Sequence, residues 1–188
     1  MMEEYLRSFN LLTEAEIEDA LRSARPKMVP KGEFLIQEGQ VSKDVAFIAS
    51  GFCMSYYHNT AGEEVAFCFA FPNSFITAFS SFISQAPTAE NIVALTDMEL
   101  LMLSREKVQE VTAVSPNWAR FNQLMAEEEY MRLEKRVFLL QAETAMEKYQ
   151  DLLTHHPEYL QLIPQSYLAS YLGITQRHLS RIRQQLTN

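Results

Sequence analysis

The sequence predicts an α+β fold, strand-rich in its first hundred residues and helical thereafter, and three observations predict it. From Met28 to Met102 apolar residues come in short runs broken by turn residues. After Pro116 no proline or glycine interrupts the chain until beyond Gln141, and helix formers dominate. From Pro164 onward two short helical patterns flank Gly173, and the second carries arginine but no acid.

Taken in order, Met1 to Ala24 reads as helical, with Thr13 and Glu16 spaced as a capping box, and Pro26 and Pro30 break the pattern. Strands are expected at Phe34–Ile36, Val45–Ile48, Met54–Tyr57, Val65–Phe71, Ile92–Leu95 and Glu99–Leu103. Runs this short, rich in aromatic and β-branched residues, suit a barrel, roll or sandwich. Gly32, Gly39, Gly51 and Gly62 fall at the breaks and read as its corners. Ser115-Pro116-Asn117 then opens a long helix, in which Leu124, Met131 and Phe138 recur every seven residues. That spacing is the seam of a helix lying along another helix. Phe121, Met125, Leu133, Val137 and Leu140 widen the apolar surface, so one face suits the helix's own domain and the other a partner chain. A second helix is expected from about Ala142 to Thr154, ending at His155-His156-Pro157. Those histidines lack a third ligand at useful spacing, and no metal site is expected.

The chain has 188 residues and a net charge of −8, but the charge is uneven. Pro164 to Asn188 carries three arginines and no acid, whereas the other 163 residues hold 13 basic and 24 acidic side chains. A basic end on an acidic body is a local footprint for a polyanion. Glu3 and Glu4 lie in an N-terminus with no apolar run, so no signal peptide is expected. No stretch approaches the roughly 20 apolar residues of a membrane helix. Cys53 and Cys68 form no clustered pattern and read as small buried hydrophobes of a cytoplasmic protein.

In the terminal segment Leu168, Ala169 and Leu172 make one apolar face, Gly173 turns the chain, Ile174 follows, and Thr175 is placed as an N-cap. Two short helices about such a turn match a helix-turn-helix. In the second, Leu179 and Ile182 face inward, leaving Gln176, Arg177, His178, Ser180, Arg181 and Arg183 exposed. That set suits DNA: arginine bonds guanine O6 and N7 together, glutamine reads adenine, and Thr, Ser and His reach phosphate or base edges.

Tyr167 to Thr175 followed by Leu179-Ser180-Arg181-Ile182 resembles the helix-turn-helix of the cyclic-AMP receptor/Fnr (Crp/Fnr) regulators of bacteria. Lys31-Gly32-Glu33, Glu38-Gly39 and Phe47 to Gly51 resemble the opening of their cyclic-nucleotide-binding roll, and Ser115-Pro116-Asn117 stands where their dimerisation helix begins. The resemblance implies a double-stranded β-roll sensor over 1–114, a dimerisation helix over 115–141 and a DNA-binding helix-turn-helix over 142–188, without the usual β-wing. It further implies a homodimeric transcription regulator reading a palindromic site, with Gln176, Arg177 and Arg181 on bases and Thr175 and Ser180 on phosphate. The dimer seam would be Phe121, Leu124, Met131 and Phe138, with a hinge at Leu140 to Glu143. No catalytic residues are implied, and the protein is not expected to be an enzyme.

The sequence departs from the cyclic-AMP-binding members of that family at the phosphate pocket. Thr77-Ala78 replaces their Gly-Glu pair, and no arginine occurs between Arg25 and Arg105. An unpaired buried phosphate is costly, and Glu90 would repel it. The expected effector pocket is therefore Phe75, Thr77, Ala78, Phe79, Ser80, Ser81, Phe82, Glu90 and Asn91, holding an unknown effector other than cyclic AMP, and no cofactor. Two alternatives stand beside this reading. One is a ligand-binding or adaptor roll that does not bind DNA. The other is a cupin-like metal enzyme, which only His58 among the roll's residues would support.

Overall fold

The computed structural model describes residues 1–187 and divides into two compact units, 1–57 with 68–127, and 58–67 with the described residues from 128 onward. The expected boundaries after 114 and 141 do not coincide with this division, because the C-terminal half of the long helix groups with the terminal helices.

The first unit opens with two helices, α1 (Met2–Ser8) and α2 (Glu14–Ser23), where the sequence suggested one. Asn10 takes a positive φ of 54° between them, and α2 restarts on its own cap: Thr13 accepts the Glu16 amide while Glu16 bonds back to Thr13. Strands β1 (Arg25–Val29), β2 (Phe34–Ile36), β3 (Asp44–Ser50), β4 (Cys53–His58), β5 (Glu64–Ala70), β6 (Phe75–Ile76), β7 (Asn91–Ala94) and β8 (Met98–Ser104) follow. They form two four-stranded sheets in the orders β1-β8-β3-β6 and β2-β7-β4-β5, the interleaved order of a β-roll. Strand β1 was not expected, since Pro26 read as a breaker. It is tolerated because β1 is an edge strand bonded to β8 alone, so the missing N–H interrupts no inner ladder.

Inward-facing residues of both sheets, among them Val29, Ile36, Ala46, Ile48, Cys53, Ile92, Met98 and Leu100, make one core between the sheets. A second core lies on the other face of the β1-β8-β3-β6 sheet. There Phe47 and Leu103 meet Met2, Leu6 and Ile17, together with Trp118 and Phe121. Burial pushes the Cys53 thiol well above its ordinary pKa, and both cysteines are unbridged. Gly51 must be glycine: its φ is 78°, and a Cβ there would lie 2.2 Å from the Asp97 carbonyl oxygen.

Two helices within this unit were not expected. One, α3 (Phe79–Ser84), lies in the β6–β7 connection, and the other, α4 (Arg105–Val114), starts on a Ser104 cap that accepts the Lys107 amide. The long helix α5 (Pro116–Ala142) begins as read. Its start is tied down by Glu16, whose carboxylate accepts from Ser115 and Asn117 as well as Thr13. Burial alone would raise this carboxyl's pKa, but those donors hold it at about 2.

The second unit contains residues 58–67, the C-terminal half of α5 and helices α6 (Ala145–His155), α7 (Pro157–Leu162), α8 (Gln165–Leu172) and α9 (Gln176–Thr187). Thr144 and Glu147 form a capping box for α6. Its buried Lys148 donates to the Leu140 carbonyl, one of the terminal acceptors that α5 leaves without an intrahelical donor. Leu152, Tyr159, Ile163, Leu168, Leu172, Leu179 and Ile182 are buried and form the interior of this unit. Among the described residues no helix is long and apolar enough to cross a membrane.

Candidate nucleic-acid interface and roll interior

Helix α8 ends as its sequence requires. Gly173 sits in the left-handed region at φ 67°, its amide bonds to the Ser170 carbonyl, and the Ile174 amide reaches back to Ala169. Thr175 then caps α9 by accepting the His178 amide at 3.2 Å. The cap occupies the Thr175 hydroxyl, which contributes to positioning the helix start. Leu179 and Ile182 are fully buried, and this fixes the rotation of α9 about its axis. Gln176, Arg177, His178 and Arg181 consequently lie exposed.

Two residues expected on that exposed face are placed differently. Ser180 is half-buried and its hydroxyl accepts from Gln165 at 2.6 Å, so it fastens α9 to the start of α8. Arg183 is also half-buried, with its guanidinium 5.9 Å from the centre of the Tyr149 ring. The exposed polar set is therefore narrower than the periodicity suggested.

Another polar cluster in this unit gave no sequence signal. Ser170 accepts the Ala66 amide at 3.0 Å and donates to the Glu64 carbonyl at 3.1 Å. Arg136 donates to the Tyr171 carbonyl at 2.7 Å and to Ala66 at 3.3 Å, with its guanidinium 3.7 Å from the Tyr171 ring centre. These bonds hold residues 64–66 to α8 and α5, and they join positions about 70 and 104 residues apart in sequence.

Within α5 the seven-residue seam is split. Phe121 is buried in the core of the first unit, with its ring against Phe9 and Trp118, so it does not belong to an open face. Leu124 is half-buried, whereas Met131 and Phe138 are 57% and 61% exposed. Tyr130, Leu133, Val137 and Leu140 are exposed beside them. An apolar run of this kind on a helix is a surface suited to burial against a partner.

The residues expected to line one effector pocket are dispersed. Phe75 packs against Tyr5, Phe47 and Phe121 in the second core, away from the inter-sheet side. Thr77 and Ser42 share a hydrogen bond, and Thr77 also donates to the Asp44 carbonyl. Ser81 accepts the Ser42 amide and donates to the Ala86 carbonyl. Arg105 donates to the Phe82 carbonyl and so closes the C-terminal end of α3, while Phe79 and Phe82 are half-buried. Ser80 is exposed and supplies only a carbonyl to Ser84. Glu90 accepts from the buried Ser55 hydroxyl at 2.7 Å. Asn91 accepts the Glu38 amide, and its side-chain nitrogen is buried without a partner.

The structure does contain a cavity in this region, of about 220 Å³, and Thr77 and Ala78 line it. The other expected pocket residues do not. Its remaining walls come from β1, β2, β3, β6, β7, β8 and the loop before β3, a combination that periodicity could not bring together. Among the described residues no group of three or more His, Cys, Asp or Glu is placed to hold a metal ion.

Residues 26–115 match the family model for the cyclic nucleotide-binding domain. Among solved structures, FixK2 from Bradyrhizobium japonicum superposes with a TM-score of 0.77 at 21% identity, over 87% of this chain and 84% of that one. The catabolite activator protein of Thermus thermophilus gives 0.63 at 21% identity, over 97% and 86%. The global regulator CLP of Xanthomonas campestris, described as responsive to c-di-GMP, gives 0.71 at 17% identity, over 91% and 90%. No curated protein matches in sequence.

Proposed function

We propose that this chain, a cyclic nucleotide-binding domain over residues 26–115 with structural neighbours among the Crp/Fnr regulators, is a DNA-binding transcription regulator. One observation carries the reading: Gln176, Arg177, His178 and Arg181 form an exposed face at the start of a helix whose other side is buried and whose cap is made. Residues at the N-terminal end of such a helix enter the major groove. Arg177 and Arg181 supply bidentate donors for guanine, Gln176 suits adenine, and no acid between Pro164 and Asn188 adds repulsion from phosphate.

The regulator acts as a homodimer joined along α5, with Met131 and Phe138 at the seam and Leu124 toward its upper end. Two-fold symmetry then requires a palindromic site with half-sites one helical turn apart. Its effector is not cyclic AMP held in the usual manner, since Thr77-Ala78 lacks the ribose-binding carboxylate and no arginine between Arg25 and Arg105 is there to neutralise a phosphate. No catalytic step is assigned to the chain.

The test is fluorescence-anisotropy binding to a randomised DNA pool at two salt concentrations, for the wild type and Arg181→Ala. Support would be binding that weakens with salt, weakens further in the variant and enriches a palindrome. A folded protein that retains no DNA at either salt, with cell extract added as effector source, would replace this reading with that of an adaptor.

A further inference from the structure

The cavity in the first unit lies between the two sheets, and its floor is apolar: Ile36, Ala46, Ile76, Ile92 and Met102. Side-chain alternation explains its rim. On β1, Lys27 precedes the buried Val29 by two residues, and on β3, Asp44 precedes the buried Ala46 by two, so both inward-facing rows end in a charged residue. Lys43, from the loop, joins them at the lining.

The charges at this rim do not cancel. The Asp44 carboxylate is taken by the Arg25 guanidinium at 2.5 Å. Neither Lys27 nor Lys43 makes a salt bridge among the described residues. The neutral polar groups are also occupied, since Ser42 and Thr77 bond to each other and to the Asp44 carbonyl. What remains is an apolar floor beneath two ammonium groups that make no salt bridge, Lys27 and Lys43, the second of which also acts through space on the Glu106 carboxylate.

Size narrows the ligand further. A volume of about 220 Å³ lies below the roughly 300–1,000 Å³ of sites for drug-sized ligands, which favours a small organic molecule. We propose that this cavity binds a short-chain monocarboxylate, with its apolar body on Ile36, Ala46 and Ile92 and its carboxylate paired with Lys27 and Lys43. A bare phosphate would leave the apolar floor uncovered, and an amine would meet like charge. The proposal stands independently of DNA binding.

Isothermal titration calorimetry of the full chain with hexanoate, hexanol and hexylamine tests it. The expected result is saturable one-to-one binding of hexanoate, at least about tenfold weaker binding of hexanol, and none of hexylamine. The Lys27→Met/Lys43→Met double variant, changed at two exposed positions, should lose about tenfold in hexanoate affinity at unchanged Tm. Ala46→Leu, which fills the floor, should remove binding altogether. The proposal is overturned by a folded wild type that gives no saturable heat, by hexanol matching hexanoate, or by the double-lysine variant keeping wild-type affinity. Because no DNA is present, a protein that binds hexanoate but not DNA would retain this site and lose only the regulator reading.

Discussion

Single residues decide whether the terminal helices can present a reading face. Gly173 holds φ 67°, where a β-carbon meets steric cost of roughly 1–2 kcal/mol. The added carbon itself would sit 3.4 Å from Leu140, an ordinary contact, so backbone strain dominates. Gly173→Ala should therefore lower the unfolding free energy by about that amount in urea titration, and Gly173→Asn by less, since asparagine tolerates the left-handed region. Glu16 is the other decisive residue. Its folded pKa is depressed below its unfolded value, so its contribution is complete above about 4.5 and disappears as pH falls toward about 2. The wild type should lose Tm over that interval more steeply than Glu16→Gln, which has no charge to titrate. Parallel curves for the two proteins would contradict the role assigned to this carboxylate.

At the scale of elements, α5 and the 64–66 segment carry the sharpest expectations. Charge placed on the open half of α5 should separate protomers without unfolding either one. Met131→Asp with Phe138→Asp is expected to shift sedimentation from dimer to monomer, whereas Phe121→Asp should unfold the first unit, because Phe121 is 3% exposed. A wild type that sediments as a monomer at all concentrations would refute the seam. The Ser170 hydroxyl is the acceptor for the Ala66 amide, so Ser170→Ala should speed hydrogen exchange at Ala66 while leaving the interior of α9 unchanged. Arg136→Lys retains the charge but cannot reproduce two carbonyl bonds and a stacked ring. It should cost unit 2 stability nearly as much as Arg136→Ala, about 1.5–3 kcal/mol.

For the molecule as a whole, uneven charge is the governing property. The body carries a net −11 and the last 25 residues +3, so any polyanion should meet the protein at one end. The slope of log affinity against log salt is expected to fall by about one when an arginine that contacts phosphate is replaced. Arg183→Ala should alter that slope least among the three terminal arginines, since Arg183 is half-buried beside Tyr149 whereas Arg177 and Arg181 are exposed. Equal slope changes for Arg177, Arg181 and Arg183 would contradict this placement.

The sequence by itself determined what depends on neighbours along the chain. The short apolar runs of β3, β4 and β8, the caps at Thr13 and Thr175, the left-handed turn at Gly173 and the rotation of α9 set by Leu179 and Ile182 are local matters of composition, backbone geometry and periodic burial. The exposed part of the candidate DNA face followed from the same periodicity, apart from Ser180 and Arg183, whose partners Gln165 and Tyr149 lie on other helices. Only the tertiary structure decided the rest. Sheet order made Pro26 acceptable at an edge, sent Phe75 and Phe121 into a core instead of a pocket or a seam, and paired Arg136 with residues far along the chain. It also assembled the cavity from β1, β2, β3, β6, β7 and β8, with Lys27 and Lys43 at its rim. Periodicity reports which face of an element is buried, but not which distant element buries it, and sites made where several strands converge are therefore the last feature a sequence reveals.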